Sequence, residues 1–247
     1  MTELKGEYKT IPSSASSQEL EAYTDLQRLF QESPLPHNEA LANLELFQSR
    51  AALGRILFMH DLYVQALEVP GVVMEFGVRW GRNLALFHSL RNIYEPHNYS
   101  RRIVGFDTFA GFSDDSLLSG AYSVPSGYED YLGEVLSAHE RLSPRSHLRR
   151  FDLVKGDVRK TLPLYLAEHP ETIISLAYFD LDLYDPARTC LETITPYLTA
   201  GSIVGFDQLS LPEFPGETEA LRDVWGLGVN LRRSPLSQYS SYLVWGG

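Results

Sequence analysis

Cysteine is nearly absent from this sequence, which narrows the classes of protein to which it could belong. The 247 residues include one cysteine, Cys190, so internal disulfides and thiolate metal clusters are excluded. We expect Cys190 to pack as a small apolar side chain on a helix. The chain also lacks the run of about 18 to 20 apolar residues that a membrane-spanning helix needs. Its polar start lacks the apolar segment of a signal peptide, so we expect a cytoplasmic protein.

Basic residues are scarce as well. The chain has 21 Lys and Arg against 32 Asp and Glu, for a formal net charge of -11. Nucleic acids and anionic membranes are bound chiefly through an excess of Lys and Arg, so we expect neither as a partner. A small molecule or a metal ion fits this composition better.

Short apolar runs alternate with segments of helical length over most of the chain. Strands that alternate with helices pair in parallel through right-handed crossovers. The last two runs, "GVNLRR" and "SSYLVWGG", have no helix between them and predict an antiparallel hairpin at one sheet edge. The sequence therefore predicts an α/β fold with a seven-stranded, doubly wound sheet and an antiparallel last strand.

Residues 1–66 are predicted to form a helical N-terminal extension, and residues 67–247 the main domain. A Ser N-cap and apolar spacing near 3.6 predict a helix in "SSQELEAYTDLQRLFQ". A second helix is predicted over "NEALANLELFQSRAALGRILFMHDLYVQAL", with a break near Gly54.

Acids recur at the predicted strand ends, where ligands bind in open α/β sheets. In chain order the residues are Glu75, Gly77 and Gly81; Asp107; Gly156 and Asp157; Asp180 and Asp182; and Asp207 with Gln208. The first set lies in "MEFGVRWGRN", which offers a tight turn before a helix but is not the GxGxxG of dinucleotide binding. An acid there would repel a diphosphate and attract an ammonium or sulfonium group. An ordinary glycine turn is the alternative.

Asp107, at the end of the second predicted strand, is placed to bind the vicinal hydroxyls of a ribose. It could equally be a turn former. Nucleoside recognition without a phosphate cradle favours S-adenosylmethionine over NAD.

The stretch "AYFDLDLYDPA" brings several acids to the end of an apolar run. If the strand persists, Asp180, Asp182 and Tyr184 share a face. Asp207 and Gln208 end the fifth predicted strand, which should lie beside the fourth. Asp180, Asp207 and Gln208 could therefore converge on Mg²⁺ or another divalent cation, which prefers oxygen ligands. The alternative is that the acids cap the helices that follow.

Six stretches together resemble the macrocin O-methyltransferase family. They are "MEFGVRWGRN", "VGFDTFAGF", "VKGDVRKTLP", "AYFDLDLYDPA", "PYLTAGSIVGFDQL" and "FPGETEA". The similarity runs in the same order over roughly residues 70 to 225. It implies a class I methyltransferase with a Rossmann-like fold, which uses S-adenosylmethionine and a divalent metal to methylate sugar hydroxyls of natural products such as macrolides.

The resemblance also implies roles for particular residues. The implied cofactor-binding set is Glu75, Gly77, Val78, Gly81, Asp107, Thr108, Gly156, Asp157, Val158 and Asp180. Glu75 and Gly77 would hold the methionine end, Asp107 the ribose, and the loop from Gly156 to Val158 the adenine. Asp180 would be both a metal ligand and the general base. The family usually ends its fifth strand with two adjacent Asp, whereas the second position here is Gln208.

The acceptor side is less defined by the sequence. His37, Tyr122 and Tyr184 are candidates for the acceptor pocket, and the long insert at residues 113–130 is expected to shape it. The N-terminal helices resemble the family's lid over the cofactor, and their apolar faces suggest a homo-oligomer. Two other enzymes stay open: a metal-dependent catechol-type O-methyltransferase, and an NAD-dependent sugar oxidoreductase, which the missing GxGxxG disfavours.

Overall fold

A seven-stranded sheet forms the centre of the fold. The computed structural model describes residues 15–112, 122–237 and 239–247. The strands are β1 Val72–Phe76, β2 Ile103–Asp107, β3 Phe151–Lys155, β4 Ile174–Phe179, β5 Leu198–Phe206, β6 Leu231–Arg233 and β7 Ser241–Val244. Their order in the sheet is β3-β2-β1-β4-β5-β7-β6. Strands β1 to β5 pair in parallel, and β7 is antiparallel to both of its neighbours. The predicted topology is confirmed.

Helices connect the parallel strands and cover the sheet. The described α-helices are α1 Ser17–Gln31, α2 His37–Ala42, α3 Arg50–Ala66, α4 Arg82–Tyr94, α5 Tyr128–Arg141, α6 Val158–Glu168, α7 Tyr184–Ile194 and α8 Gly216–Val224. Every residue of β1 and β4 is buried, as expected of parallel strands covered on both faces. Cys190 is fully buried on α7, and burial raises the pKa of its thiol, so its predicted role as an apolar packing residue is confirmed.

A row of four phenylalanines crosses the sheet near the carboxyl ends of its central strands. Phe76 is in register with both Phe106 and Phe179, and Phe179 with Phe206. The ring centroids of successive neighbours lie 4.9 to 5.4 Å apart, a separation at which aromatic rings attract. The row fixes the relative register of four strands, and therefore aligns the residues that follow each strand.

The chain divides into two compact units, Met1–Phe58 and Met59–Gly247. In the first unit, the predicted Ser N-cap of α1 is confirmed as Ser16, which also forms a capping box with Glu19. The break predicted near Gly54 is wrong, because Gly54 lies inside α3. The helix is interrupted instead between α2 and α3, where the Ser49 hydroxyl accepts a hydrogen bond from the Ala52 amide. One glycine inside a helix costs only about 1 kcal/mol and does not end the helix. A capping serine is the stronger signal, because it marks where a helix begins.

None of the helices within residues 15–112, 122–237 and 239–247 has the length and apolarity that crossing a bilayer requires.

A buried ionic cluster joins α4 and α5 to the residue that precedes β3. The Glu140 carboxylate accepts hydrogen bonds from Arg91 and, at 3.1 and 3.2 Å, from Arg150. All three side chains are almost fully buried. Such a cluster fixes the packing of its elements, because each charge is costly to bury without its partners.

His88 lies beside this cluster on α4 and makes the free energy of unfolding depend on pH. Burial, and then the positive charge of Arg91, lower the pKa of His88 to about 2, whereas an unfolded histidine has a pKa of about 6.5. The unfolded chain therefore takes up a proton that the folded chain excludes. The stabilisation is present above pH ~6.5 and is lost as the pH falls below it, by about 1.4 kcal/mol per pH unit.

We expect the unfolding free energy of the wild type to fall more steeply between pH 6.5 and pH 5 than that of His88→Asn. Urea unfolding at a series of pH values measures this slope, which does not depend on the absolute stability of the variant. His147→Gln, at an exposed position, is the control and should keep the wild-type slope. Equal slopes in the wild type and His88→Asn would show that His88 takes up no proton on unfolding.

Candidate active site

Four residues directly follow the phenylalanine row at one edge of the sheet. They are Gly77, Asp107, Asp180 and Asp207. The Asp180 amide donates to the Phe76 carbonyl at 2.8 Å, and the Asp207 amide donates to the Phe179 carbonyl at 2.9 Å. The parallel ladder thus continues one residue past β1, β4 and β5, and Asp107 is itself the last residue of β2. These hydrogen bonds fix the four positions at the ligand-binding edge of the fold.

The turn after β1 lies against the chain after β4. Gly77 has a φ of +91°, and a Cβ there would lie 2.0 Å from the Asp180 carbonyl oxygen. Gly81 begins α4 with a φ of +73°, and a Cβ there would lie 2.4 Å from Leu132. Val78, between them, is buried. Only glycine allows this turn to pass so close to its neighbours, so the pattern that the sequence shows has a steric cause.

Asp107 organises this turn through its carboxylate. One oxygen accepts the amides of Val78 and Arg79 at 2.7 and 2.8 Å, and the other accepts the Phe109 amide at 2.6 Å. Thr108 donates to the Gly111 carbonyl at 2.8 Å and so shapes the next turn. A carboxylate has about four acceptor positions. The turn-forming interpretation of Asp107 is therefore correct, and ribose binding stays a prediction that these contacts leave room for.

Glu75 is not in the turn, where the sequence interpretation put it. It lies inside β1, is buried, and accepts a hydrogen bond from the Asn83 amide group at 2.5 Å. Strand β1 extends to Phe76, so Glu75 points to the face opposite to the phenylalanine row. Its place beneath the turn keeps it a candidate for the methionine end of a cofactor.

The chain after β3 begins α6 directly. Gly156 has a φ of +136°, and Asp157 caps α6 by accepting the Arg159 amide at 3.0 Å. Arg159 also contacts both Asp157 oxygens through its side chain, which lowers the pKa of Asp157. Val158 is buried as the first residue of α6. The structure brings the predicted adenine loop to the same sheet edge, with Asp157 in a capping role.

The chain after β4 is not extended, so the expectation that Asp180, Asp182 and Tyr184 share a face is wrong. Strand β4 ends at Phe179, Asp182 has a left-handed φ of +62°, and Tyr184 is already helical. Asp182 is buried in this tight connection. Asp180 is thereby the acid that immediately follows the strand.

Glu217 is a member of this acidic group that sequence reasoning missed. It lies in the first turn of α8, is 1% exposed, and accepts the Leu181 amide at 2.8 Å and the Asp182 amide at 3.4 Å. Burial raises the pKa of Glu217 well above its usual range, and the nearby charges of Asp182, Asp180 and Asp207 raise it further. The stretch "FPGETEA" is one of the six that carry the family resemblance, but only the structure shows that Gly216 allows close contact with the carbonyl oxygen of Asp182 and so brings Glu217 to this group.

Asp207 and Gln208 follow β5. Asp207 accepts the Tyr178 hydroxyl at 2.8 Å and the Gln208 amide group at 3.5 Å. The Gln208 Oε1 atom is buried and accepts no hydrogen bond from the described residues.

Two carboxylates, from Asp180 and Asp207, and one amide oxygen suit Mg²⁺, which binds one or two carboxylates and keeps several waters. A metal site in which the described residues supply all the ligands is not seen. Within the described ranges, no three His, Cys, Asp or Glu side chains are grouped to hold a metal ion.

The predicted acceptor residues lie on separate elements. His37 is exposed at the start of α2, in the first compact unit. Tyr184 donates its hydroxyl to Asp223 at 2.9 Å. Tyr122 contacts Phe112 edge-on, with centroids 5.4 Å apart. Of the insert predicted to shape the acceptor site, residues 113–121 lie outside the described part of the chain.

Comparison with known proteins identifies the family of the chain. The chain matches no family model and no curated protein sequence. Among solved structures it is similar to CalS11, described as a calicheamicin methyltransferase, with 50% identity over 94% of this chain and 95% of that one and a TM-score of 0.90. An apo structure of CalS11, described as a TDP-rhamnose 3'-O-methyltransferase of calicheamicin biosynthesis, matches at 50% identity, 94% and 96% coverage and a TM-score of 0.86.

A more distant structure supports the fold alone. The O-methyltransferase NovP is 17% identical over 78% of this chain and 80% of its own length, with a TM-score of 0.61. The predicted class I methyltransferase fold and the family resemblance are both confirmed. At half identity over nearly the whole length, the chain belongs to the family of sugar O-methyltransferases that includes CalS11.

Proposed function

We propose that the protein transfers the methyl group of S-adenosylmethionine to a sugar hydroxyl in the biosynthesis of a natural product. The observation that carries the proposal is the contact of Gly77 with the main chain of Asp180. The proposal is supported by this contact because the turn that would hold the methionine end of the cofactor lies next to the residue that would act as base. Membership of a sugar O-methyltransferase family supports the reaction class.

The cofactor would lie along the carboxyl ends of β1, β2 and β3. Glu75 supplies negative charge beneath the turn, which suits the ammonium group of the cofactor, and the aspartates nearby suit its sulfonium. The remaining acceptor position of Asp107 would bind ribose, and the loop from Gly156 to Val158 would contact adenine.

Asp180 would act as the general base. A sugar hydroxyl is a weak nucleophile near neutral pH, so its proton must leave as the oxygen attacks. The oxygen attacks the sulfonium methyl carbon, the new oxygen–carbon bond forms, and the carbon–sulfur bond breaks. The proton passes to the Asp180 carboxylate, and S-adenosylhomocysteine leaves.

Asp180, Asp207 and Gln208 would hold Mg²⁺ or another divalent cation. Such an ion lowers the pKa of a hydroxyl that coordinates to it. The buried Oε1 atom of Gln208, with no donor among the described residues, supports this assignment.

We expect chelation to lower turnover at least tenfold and added Mg²⁺ to restore it, while calorimetry shows unchanged binding of S-adenosylhomocysteine. Turnover that persists after complete chelation would contradict the metal site, and the proposed role of Asp180 as general base would stand without it.

The acceptor would be a deoxysugar linked to thymidine diphosphate, because CalS11 is described as acting on TDP-rhamnose. A sugar already attached to a natural product is the second candidate. Tyr122 is the best placed of the predicted acceptor residues, because it lies beside the turn after β1 through its contact with Arg79. Contacts of His37 and Tyr184 with the acceptor, a lid formed by residues 1–66, and a homo-oligomer all stay predictions.

A methyl-labelled cofactor tests the reaction directly. Purified protein would receive labelled S-adenosylmethionine with TDP-rhamnose, a simple rhamnoside or catechol in parallel. We expect label in the nucleotide sugar. Label in catechol alone would favour the catechol-type alternative, and label in none of the acceptors would contradict the proposed function.

A further inference from the structure

Arg79 stands out among the buried and half-buried arginines because its side chain has no polar partner. Within residues 15–112, 122–237 and 239–247, its guanidinium group donates no hydrogen bond and forms no ion pair, and its Nε is buried without an acceptor. Arg91 and Arg150, in contrast, pair with Glu140, and Arg101 pairs with Glu95. A guanidinium has five N–H donors, so those of Arg79 are free to bind an acceptor from outside the described chain.

Aromatic rings hold this guanidinium in place. Its central carbon lies 4.9 Å from the centroid of Tyr122 and 5.6 Å from that of Trp80, within the range of cation–π attraction. Arg79 also adopts a left-handed φ of +48°, a strained conformation for a residue with a side chain. Its amide is fixed by Asp107. The side chain is therefore preorganised at the sheet edge that carries the site.

Trp80, the next residue, presents an aromatic surface beside it. The indole is 45% exposed, although an exposed tryptophan is unusual in a loop that packs so tightly at Gly77 and Gly81. Tyr128 supports it edge-on, with centroids 4.9 Å apart, and donates its hydroxyl to the Trp80 carbonyl at 3.2 Å. A fixed, half-exposed indole next to an unpaired guanidinium combines a stacking surface with an anion-binding fork.

We propose that Arg79 and Trp80 form the subsite for the nucleoside diphosphate part of the acceptor. Arg79 would bind the diphosphate with its fork of N–H donors, and Trp80 would stack on the base. This inference rests on the proposed function, since it assigns residues to a nucleotide-linked sugar. The site is otherwise rich in acids that repel a diphosphate, so a preorganised cation is what such an acceptor requires.

The cofactor carboxylate is the competing anion for Arg79. The cofactor offers one carboxylate to Arg79 but no nucleobase that could stack on Trp80, because its adenine would lie at the β3 end of the site. Binding of the two molecules to variants separates these roles without any turnover.

Calorimetry with thymidine diphosphate, and separately with S-adenosylhomocysteine, tests the subsite. We expect Arg79→Gln to weaken binding of thymidine diphosphate at least tenfold and to change binding of S-adenosylhomocysteine less than twofold. Arg79→Lys, which keeps the charge but loses the fork, should be intermediate. Arg233→Gln, an exposed arginine on β6, is the matched control and should change neither. Equal weakening of both ligands, or unchanged binding of thymidine diphosphate, would overturn the inference.

Trp80 gives a second readout. The other two tryptophans, Trp225 and Trp245, lie against each other with centroids 4.7 Å apart. We expect thymidine diphosphate to quench wild-type fluorescence and to leave that of Trp80→Phe unchanged. Quenching that survives in Trp80→Phe would exclude stacking on Trp80.

Turnover then separates this inference from the proposed function. For TDP-rhamnose, Arg79→Gln should raise KM with a smaller effect on kcat, whereas a simple rhamnoside should show no change in KM. If the enzyme methylates the rhamnoside and thymidine diphosphate neither binds nor competes, the subsite is wrong and the reaction stands. If no sugar is methylated, the reaction fails, and the two binding measurements still decide the subsite.

Discussion

Replacing Asp180 by asparagine is expected to lower kcat for methyl transfer by ~10²- to 10⁴-fold, the usual contribution of a general base. The substitution removes the proton acceptor while keeping the size of the side chain. Cofactor binding should change little, because the close neighbours of Gly77 are main-chain atoms of Asp180, which asparagine retains. Steady-state kinetics and calorimetry with S-adenosylhomocysteine measure the two effects separately.

Asp185→Asn is the matched control for this variant. Asp185 is exposed in the first turn of α7, five residues after Asp180 in the chain. The substitution therefore removes one negative charge nearby and leaves the end of β4 unchanged. We expect wild-type turnover. Loss of cofactor binding in Asp180→Asn, rather than loss of turnover, would reassign Asp180 from the base to the cofactor site.

Gly77→Ala is expected to abolish cofactor binding and to destabilise the fold by more than ~3 kcal/mol. The new Cβ would lie 2.0 Å from a main-chain oxygen, and the alanine would have to adopt a φ of +91°. Because the clash is with main chain, no side-chain rotation relieves it, and the turn must move away from β4. Thermal unfolding and calorimetry with S-adenosylhomocysteine measure the two losses.

Gly127→Ala separates the clash from the strain. Gly127 has a φ of +80°, but a Cβ there would meet nothing within 4 Å. This variant should lose only the ~1 to 2 kcal/mol that a left-handed conformation costs a residue with a Cβ, and it should bind cofactor normally. Similar losses in the two variants would mean that the contact between Gly77 and Asp180 is not what shapes the site.

The sheet and the alignment of its strand ends were predictable because they follow local patterns. Apolar runs separated by helical segments define parallel strands, and a phenylalanine precedes Gly77, Asp107, Asp180 and Asp207 alike. Parallel register then brings these four residues to one edge. Predictions that depended only on strand order and on the residue after each strand therefore agree with the structure.

Predictions that depended on the path of a connection were less successful. Asp182 turns back in a left-handed conformation, which no alternation of residues reveals. Glu217 is an acid in the first turn of an amphipathic helix, and the sequence gives no sign that it lies beneath another loop. The cation–π contact of Arg79 with Tyr122 joins residues far apart in the chain. In each case the decisive contact is tertiary, so local propensity could not supply it.

A crystal structure with S-adenosylhomocysteine and the acceptor sugar would locate the reacting atoms. We expect the sulfur beside the turn at Gly77 and an acceptor hydroxyl about 2.6 to 3.2 Å from the Asp180 carboxylate. A cofactor bound away from that turn, or a hydroxyl out of reach of Asp180 with the carboxylate bonded only to main-chain amides, would contradict the proposed site.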